Sequence, residues 1–223
     1  MFSWTIVNRF MKLSNPKNSS IYYNKRISVL KEYIQFWSVK NIIDIGCGEG
    51  LLIKFLAAHF KHISYTGIDL LDNTIDKTNK IFDYIVLSAE NIALRSNTFN
   101  VVIFNSVLHH IDNPELAIRE AMRICKKKGT LVIIEPNRYN PFIIFLSLLK
   151  KHERGQLSIS TNRFVSFISN CGWKIIGLRY INSLIYPYKK WPSQKHLNFF
   201  NRLENSPVIL PRLRSHFVIV AKR

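Results

Sequence analysis

Three glycines at alternate positions, Gly46, Gly48 and Gly50, close an apolar run that contains one acid, Asp44. Glycine lets the backbone take positive φ and come close to a ligand. A helix-type pattern starts at Leu51, so its free N–H groups face whatever the turn holds. Asp69 ends the next apolar run, where a carboxylate can hold both hydroxyls of a ribose. A dinucleotide turn has Gly-x-Gly-x-x-Gly spacing, shaped for a pyrophosphate. This chain has Gly-x-Gly-x-Gly with Asp44 and Glu49 beside it, charges that suit a ligand carrying an ammonium and a sulfonium. His109 and His110 form a second constellation. An imidazole there can serve as general base or hydrogen-bonding group, or one ring packs while the other caps the loop. Cys47 reads as a small packing residue in the turn, and Glu135 as either a substrate contact or an acceptor for loop N–H groups.

The elements that position these residues alternate strictly. Strands are expected at 41–45, 64–68, 83–87, 100–105 and 130–135, with helices over 51–59, from about Thr74, and from Asn113-Pro114 to about Ile124. Asn113 reads as an N-cap with Pro114 at the first helical position. Lys126-Lys127-Lys128-Gly129 reads as a helix C-terminus with a glycine stop. Such alternation calls for a parallel sheet with helices on both faces. An amphipathic helix over 22–37 precedes it, with Ile27, Leu30, Ile34 and Trp37 on one face. Pro141–Leu149 and Thr161–Cys171 read as helices, with Gly172 as a stop. Residues 173–180 and 215–221 read as strands, and 182–212 as a loop or insertion.

Charge divides the chain. Its net +18 comes from seven Lys/Arg against one acid over residues 1–40, ten against eleven over 41–136, and fifteen against two over 137–223. The flanks thus suit an anionic partner: nucleic acid, a membrane surface or a phosphorylated substrate. The cysteines Cys47, Cys125 and Cys171 make no disulfide framework and no CxxC pair, so a cytoplasmic setting without a structural metal is expected. The first ten residues lack a signal-peptide core. The apolar stretch Phe142–Leu149 is too short to span a bilayer.

The motifs IIDIGCGEG, TGIDL, SAENIAL, FNVVIFNSVLHHI and GTLVIIEPN, in this order, resemble the class I S-adenosylmethionine-dependent methyltransferases. Within them the chain looks most like the small-molecule, type 11-like subgroup, whose fourth strand is followed by Leu-His-His. The resemblance implies one α/β domain, Rossmann-like and doubly wound. Its seven-stranded sheet is mostly parallel, with an antiparallel last strand at SHFVIVAKR and helices on both faces. Residues 1–40 form a helical cap, 41–136 the cofactor core, 137–212 an acceptor-side lid, and 213–223 the last strand.

The resemblance also implies a cofactor, S-adenosylmethionine, and roles for residues. The turn Gly46, Cys47, Gly48 and Gly50 cradles the methionine part, and Asp44 orients its amino group. Asp69, followed by Leu70, binds the ribose. Ser88, Ala89 and Glu90 line the adenine. Ser88 departs from the family, which often has an acid there. Asn105 and Ser106 close the strand-4 side near the methyl group. A weakly acidic acceptor such as a hydroxyl would need a base, and His109 and His110 are the candidates for it. The acceptor is expected to be small and hydrophobic or lipid-linked, taken from an anionic membrane surface. Its contacts would be the apolar residues Tyr139 to Leu148 and the aromatic-basic stretch Tyr180 to Lys195. The alternatives are an RNA acceptor bound by the same basic flanks, a non-catalytic binding subunit, and a nicotinamide-dependent oxidoreductase.

Overall fold

Ile42 to Ile45 form the centre of a sheet because alternate residues meet different cores. In a computed structural model, which describes residues 16–71, 80–149, 151–181 and 213–223, Ile43 and Ile45 face one apolar cluster and Ile42 faces the other. Strand β1 spans Asn41–Ile45, β2 Ser64–Asp69, β3 Asp83–Val86, β4 Phe99–Asn105, β5 Cys125–Pro136, β6 Lys174–Ile181 and β7 His216–Lys222. The same alternation runs along β4, with Val102 and Phe104 on one side and Val101 and Ile103 on the other. A strand buried on both faces is largely apolar, and the exception here is the buried acid Asp44 of β1.

The sheet order is β3-β2-β1-β4-β5-β7-β6. Strands β1 to β5 pair in parallel, and β7 runs antiparallel between β5 and β6. Helices α1 (Pro16–Tyr33) and α2 (Leu51–His59) cover one face. Helices α3 (Pro114–Ile124) and α5 (Thr161–Asn170) cover the other. Helix α4 (Pro141–Leu149) and the 3₁₀ turn Lys151–Leu157 pack together after β5. Chain direction diverges between β1 and β4, so the crevice beyond their C-terminal ends is the place for a ligand.

Three local expectations change. Helix α1 stops at Tyr33, and a 3₁₀ turn at Phe36–Ser38 follows. Phe36 is therefore buried and stacks on Phe60, while Trp37 is 77% exposed. Lys126–Gly129 is not a helix C-terminus. Helix α3 ends at Ile124, the Cys125 N–H closes it on the Ala121 carbonyl, and β5 starts at once by pairing Cys125 with Phe99. The three lysines form an irregularity in β5 before regular pairing resumes at Thr130, and Lys128 takes φ 66°. Strands β2, β5 and β7 also run one or more residues beyond their expected ends. The helix expected from Thr74 and the stretch 182–212 lie outside the described residues. Asn113 does cap α3, its side chain accepting the Leu116 N–H at 3.1 Å with Pro114 next to it.

Candidate active site

The glycine turn connects β1 to α2 at the diverging edge. Gly46 takes φ 71°, and a Cβ there would sit 2.1 Å from Val107 Cγ2, so the turn after β1 is pressed against the loop after β4. Gly48 takes φ 52° and a Cβ there would meet nothing within 4 Å, which leaves its backbone open to a ligand. No side chain caps the start of α2, so its first N–H groups are available to an anion such as a carboxylate.

Asp44 lies under this turn, 1% exposed, and its Oδ1 has no hydrogen-bond partner. Burial pushes its carboxyl up to about 8, and Asp69 adds to that, while Arg26 pulls the other way. A buried carboxylate with an unpaired oxygen costs free energy that an incoming ammonium would offset. Asp69 accepts the Gly48 N–H on Oδ2 at 2.8 Å and the Leu71 N–H on Oδ1 at 3.1 Å. It fastens the turn to the end of β2, and each oxygen keeps a lone pair for a ribose hydroxyl. Leu70 beside it is 68% exposed. The donor set therefore fits a ligand with an ammonium, a carboxylate and a ribose. Cys47 packs against Gly67, and burial, then Asp44 and Asp69, push its thiol up, which removes it as a nucleophile.

Ser88 closes a short loop. Its Oγ accepts the Glu90 N–H at 3.2 Å, and it bridges to Asn91. Glu90 turns one oxygen to the Asn113 N–H at 2.8 Å, so at least half of that carboxylate holds the start of α3 instead of a ligand. Ala89 packs against the core.

Asn105 and Ser106 bring in a residue not foreseen from the sequence. Arg26 of α1 is fully buried and donates to Asn105 Oδ1, to the Tyr22 hydroxyl, and to Ser106 Oγ at 3.4 Å. Its guanidinium lies 3.9 Å over the Tyr22 ring. A signal was present: Tyr22, Arg26 and Leu30 fall at helical spacing on one face of α1. A cation on an otherwise apolar stripe marks a buried partner.

His109 and His110 separate in role. They sit in the 3₁₀ turn Leu108–His110 with ring centres 3.9 Å apart, His109 buried and His110 exposed. His109 donates from Nδ1 to Glu135 at 2.7 Å, and its Nε2 lies 3.6 Å from Glu153. Burial alone would lower its pKa, but the Glu135 carboxylate, by hydrogen bond and charge, and Glu153 outweigh that and raise it to about 9. His109 is thus a protonated donor between two acids, which does not fit the expected base. Of the two readings of Glu135, the loop-holding one is seen. Fully buried, it accepts the Val107 and Leu108 N–H groups, each at 2.8 Å. Gln156 in turn bonds Glu153 and accepts from Ser147 of α4 at 3.2 Å, so the network ties α4 to the sheet. The ligand atoms of His109, His110 and Glu153 lie within 4.8 Å of one another, a spacing also open to an ion. Here the acids neutralise the imidazolium instead.

Helix α4 shows an uneven surface. Ile143 and Ser147 are buried, while Phe145, Leu148 and Leu149 are more than half exposed, with Ile144 and the preceding Tyr139 also open. No helix among the described residues is long and apolar enough to cross a membrane.

Residues 43–133 match the model of a family described as a methyltransferase domain. The chain is 28% identical over 152 residues to the ubiquinone biosynthesis O-methyltransferase of Nitrosomonas europaea, covering 64% of this chain and 63% of that one. It spans under two thirds of that relative's length, and 58% of three others of the same name. Among solved structures, a SAM-dependent methyltransferase from Archaeoglobus fulgidus superposes with TM-score 0.70 at 14% identity, covering 99% of this chain and 100% of that one. The plantazolicin methyltransferase BpumL, in complex with a desmethyl analogue and SAH, superposes with TM-score 0.65 at 16% identity, covering 98% and 90%.

Proposed function

We propose that this chain is a class I S-adenosylmethionine-dependent methyltransferase that methylates a hydroxyl oxygen on a small, apolar, quinone-related acceptor; residues 43–133 match a methyltransferase-domain model. The observation that carries the cofactor side of this reading is Asp44, a buried carboxylate with an unpartnered oxygen beneath an open glycine turn. S-adenosylmethionine supplies a methyl group already activated by its sulfonium, so the protein's task is orientation and desolvation. Asp44 would hold the ammonium. Gly46, Cys47, Gly48, Gly50 and the first N–H groups of α2 would hold the methionine carboxylate. Asp69 would take the ribose hydroxyls. Leu70, Ser88 and Ala89 would border the adenine, with the second oxygen of Glu90 beside them. Asn105 and Ser106, fixed by Arg26, would wall the methyl side.

The acceptor side is supported by the names of the relatives and by the exposed apolar face of α4. A hydrophobic acceptor partitions into bilayers, and an apolar helix face on a chain of net charge +18 suits shallow contact with an anionic membrane. His110, the exposed member of its pair, would contact the acceptor.

Isothermal calorimetry tests the cofactor. S-adenosylhomocysteine should bind and NAD should not; failure of the first sinks the reading. Co-sedimentation with vesicles of anionic and neutral lipid tests the surface, and Phe145→Ser with Leu148→Ser should weaken the anionic binding. Vesicle binding that ignores both changes would remove the membrane from the proposal.

A further inference from the structure

The end of the sheet opposite the glycine turn carries a row of cations. The parallel strands begin there, and β6 and β7 join them, because Lys222 of β7 pairs with both Thr130 of β5 and Lys174 of β6. The segments that build this end are residues 35–41, 60–64, 95–100, 125–130, 170–175 and 220–223. Together they hold nine Lys/Arg and no Asp or Glu. Lys40, Lys127, Lys128, Lys174 and Lys222 are all exposed. Lys126 is partly covered, with its Nζ 3.3 Å from Asn100 Oδ1 and 3.4 Å from Asn41 Oδ1, so neutral amides meet it. Asp83 opens the marginal strand β3, and Glu32 of α1 pairs with Arg179 at 3.4 Å, so neither acid sits within the row.

The fold spaces these charges along a line. Neighbouring strands lie about 4.8 Å apart, so the five strands from β1 to β6 spread the cations over roughly 19 Å. In β5, residues 126–129 stand against Asn100 alone of β4, so the lysines bulge from the sheet end. An aromatic ring joins them. Trp37, 77% exposed, lies in the 3₁₀ turn just ahead of Lys40. The Phe36 carbonyl of that turn lies 3.1 Å from His62 Nε2, which fixes the turn against the loop before β2.

We propose that this end of the sheet docks single-stranded nucleic acid, with the lysines on its phosphates and Trp37 stacked on a base. Cations in a row neutralise a phosphate backbone, and an open indole takes the face of any base. A bilayer suits this end less. Within these segments Trp37 is the one large apolar side chain exposed, while the open apolar residues of α4 follow the far end of β5. A membrane held by α4 would leave the lysine row facing away from it. Strand β1 separates the row from the glycine turn by roughly 13 Å. Nucleic acid bound here is therefore a tether for the protein and not its methyl acceptor, and the proposal stands independently of the methyltransferase reading.

Fluorescence anisotropy of a short labelled oligouridine, titrated at several salt concentrations, tests the surface. The wild-type protein should bind it in about the micromolar range at about 50 mM salt, and more weakly as salt rises. Lys127→Gln, Lys128→Gln and Lys222→Gln combined remove three exposed charges, and thermal melts check that the variant folds. It should lower the slope of log affinity against log salt by about 2, the share of three single-strand phosphates. Trp37→Ala should weaken binding about 5- to 100-fold with the slope unchanged. Arg119→Gln, Arg138→Gln and Arg154→Gln combined remove the same charge elsewhere and should leave the slope near that of the wild type. An oligonucleotide that does not bind, or two triple variants that behave alike, overturns the proposal. So does binding to anionic vesicles that the lysine variant abolishes and the oligonucleotide fails to compete away, which would assign this end to a membrane.

Discussion

His109 and His216 are both closed off from solvent at the same edge of the sheet, and their surroundings drive them to opposite states. His109 sits between Glu135 and Glu153, and the acids overcome burial to keep it protonated to about pH 9. His216 has Ser215 on one nitrogen, Arg26 and His109 as charged neighbours, and no acid among the described groups that act on it, so it stays neutral. Burial acts on both rings in the same direction; the sign of the neighbouring charge decides. One region is therefore a clamp, tying the turn after β4 to α4 through a charged network. The other keeps a buried imidazole neutral.

The largest expected effect lies in the clamp. Glu135→Gln leaves a buried imidazolium with a weaker partner and two backbone N–H groups without a charged acceptor. It should destabilise the fold by about 3–5 kcal/mol in urea titrations. A loss below about 1 kcal/mol would mean that His109 is neutral, and the contrast would vanish. Next, Asp44→Asn should weaken S-adenosylhomocysteine by roughly 10- to 100-fold, the worth of a hydrogen bond to a charged group. Because the Asp44 carboxyl holds its proton up to about 8, wild-type affinity should rise with pH toward that value and the Asn variant should stay flat. Calorimetry in a pH series decides it.

A smaller effect separates the histidines by pH. The raised pKa of His109 gives stability that is complete below about 6.5 and lost as pH rises through about 9. The lowered pKa of His216 works the other way: its stability is present above about 6.5 and lost as pH falls, because the unfolded ring takes a proton that the folded one refuses. Asp44, protonated in the fold, adds to the alkaline loss between 3.8 and about 8. Relative to wild type, His109→Gln should flatten the alkaline limb and His216→Gln the acid limb. Limbs that swap between the two variants would reverse the assignment. The smallest effect is Ser215→Ala, about 1 kcal/mol or less. Its sharper readout is the nitrogen NMR shifts of His216, which should show the ring proton redistributing between Nδ1 and Nε2.

What could be read beforehand follows the range of the interaction. Asp44, the glycine turn and Asp69 lie in two local strand-turn segments, so type and spacing alone placed them. The alternation of β1 to β5 was readable for the same reason. Lys126–Gly129 misled because cations and a glycine suit a helix end equally well as a bulged strand start, and pairing with Phe99 decided the matter. Arg26 meets Asn105, and His216 meets the Tyr22 ring, only once the sheet is assembled. His109 was visible as a histidine, but its base role depended on Glu153, which arrives from the 3₁₀ turn after α4. Placement set by local spacing was legible; protonation set by distant neighbours was not.

Strand β7 lies between β5 and β6 although it follows both in the chain. During synthesis, β5 and β6 each wait with an open edge until residues 216–222 emerge, and the long loop closure makes this pairing a late event. The cradle on β1, β2 and β4 needs no such wait. A nascent chain could then form the glycine turn between β1 and α2 before the strand that opens with His216 is in place.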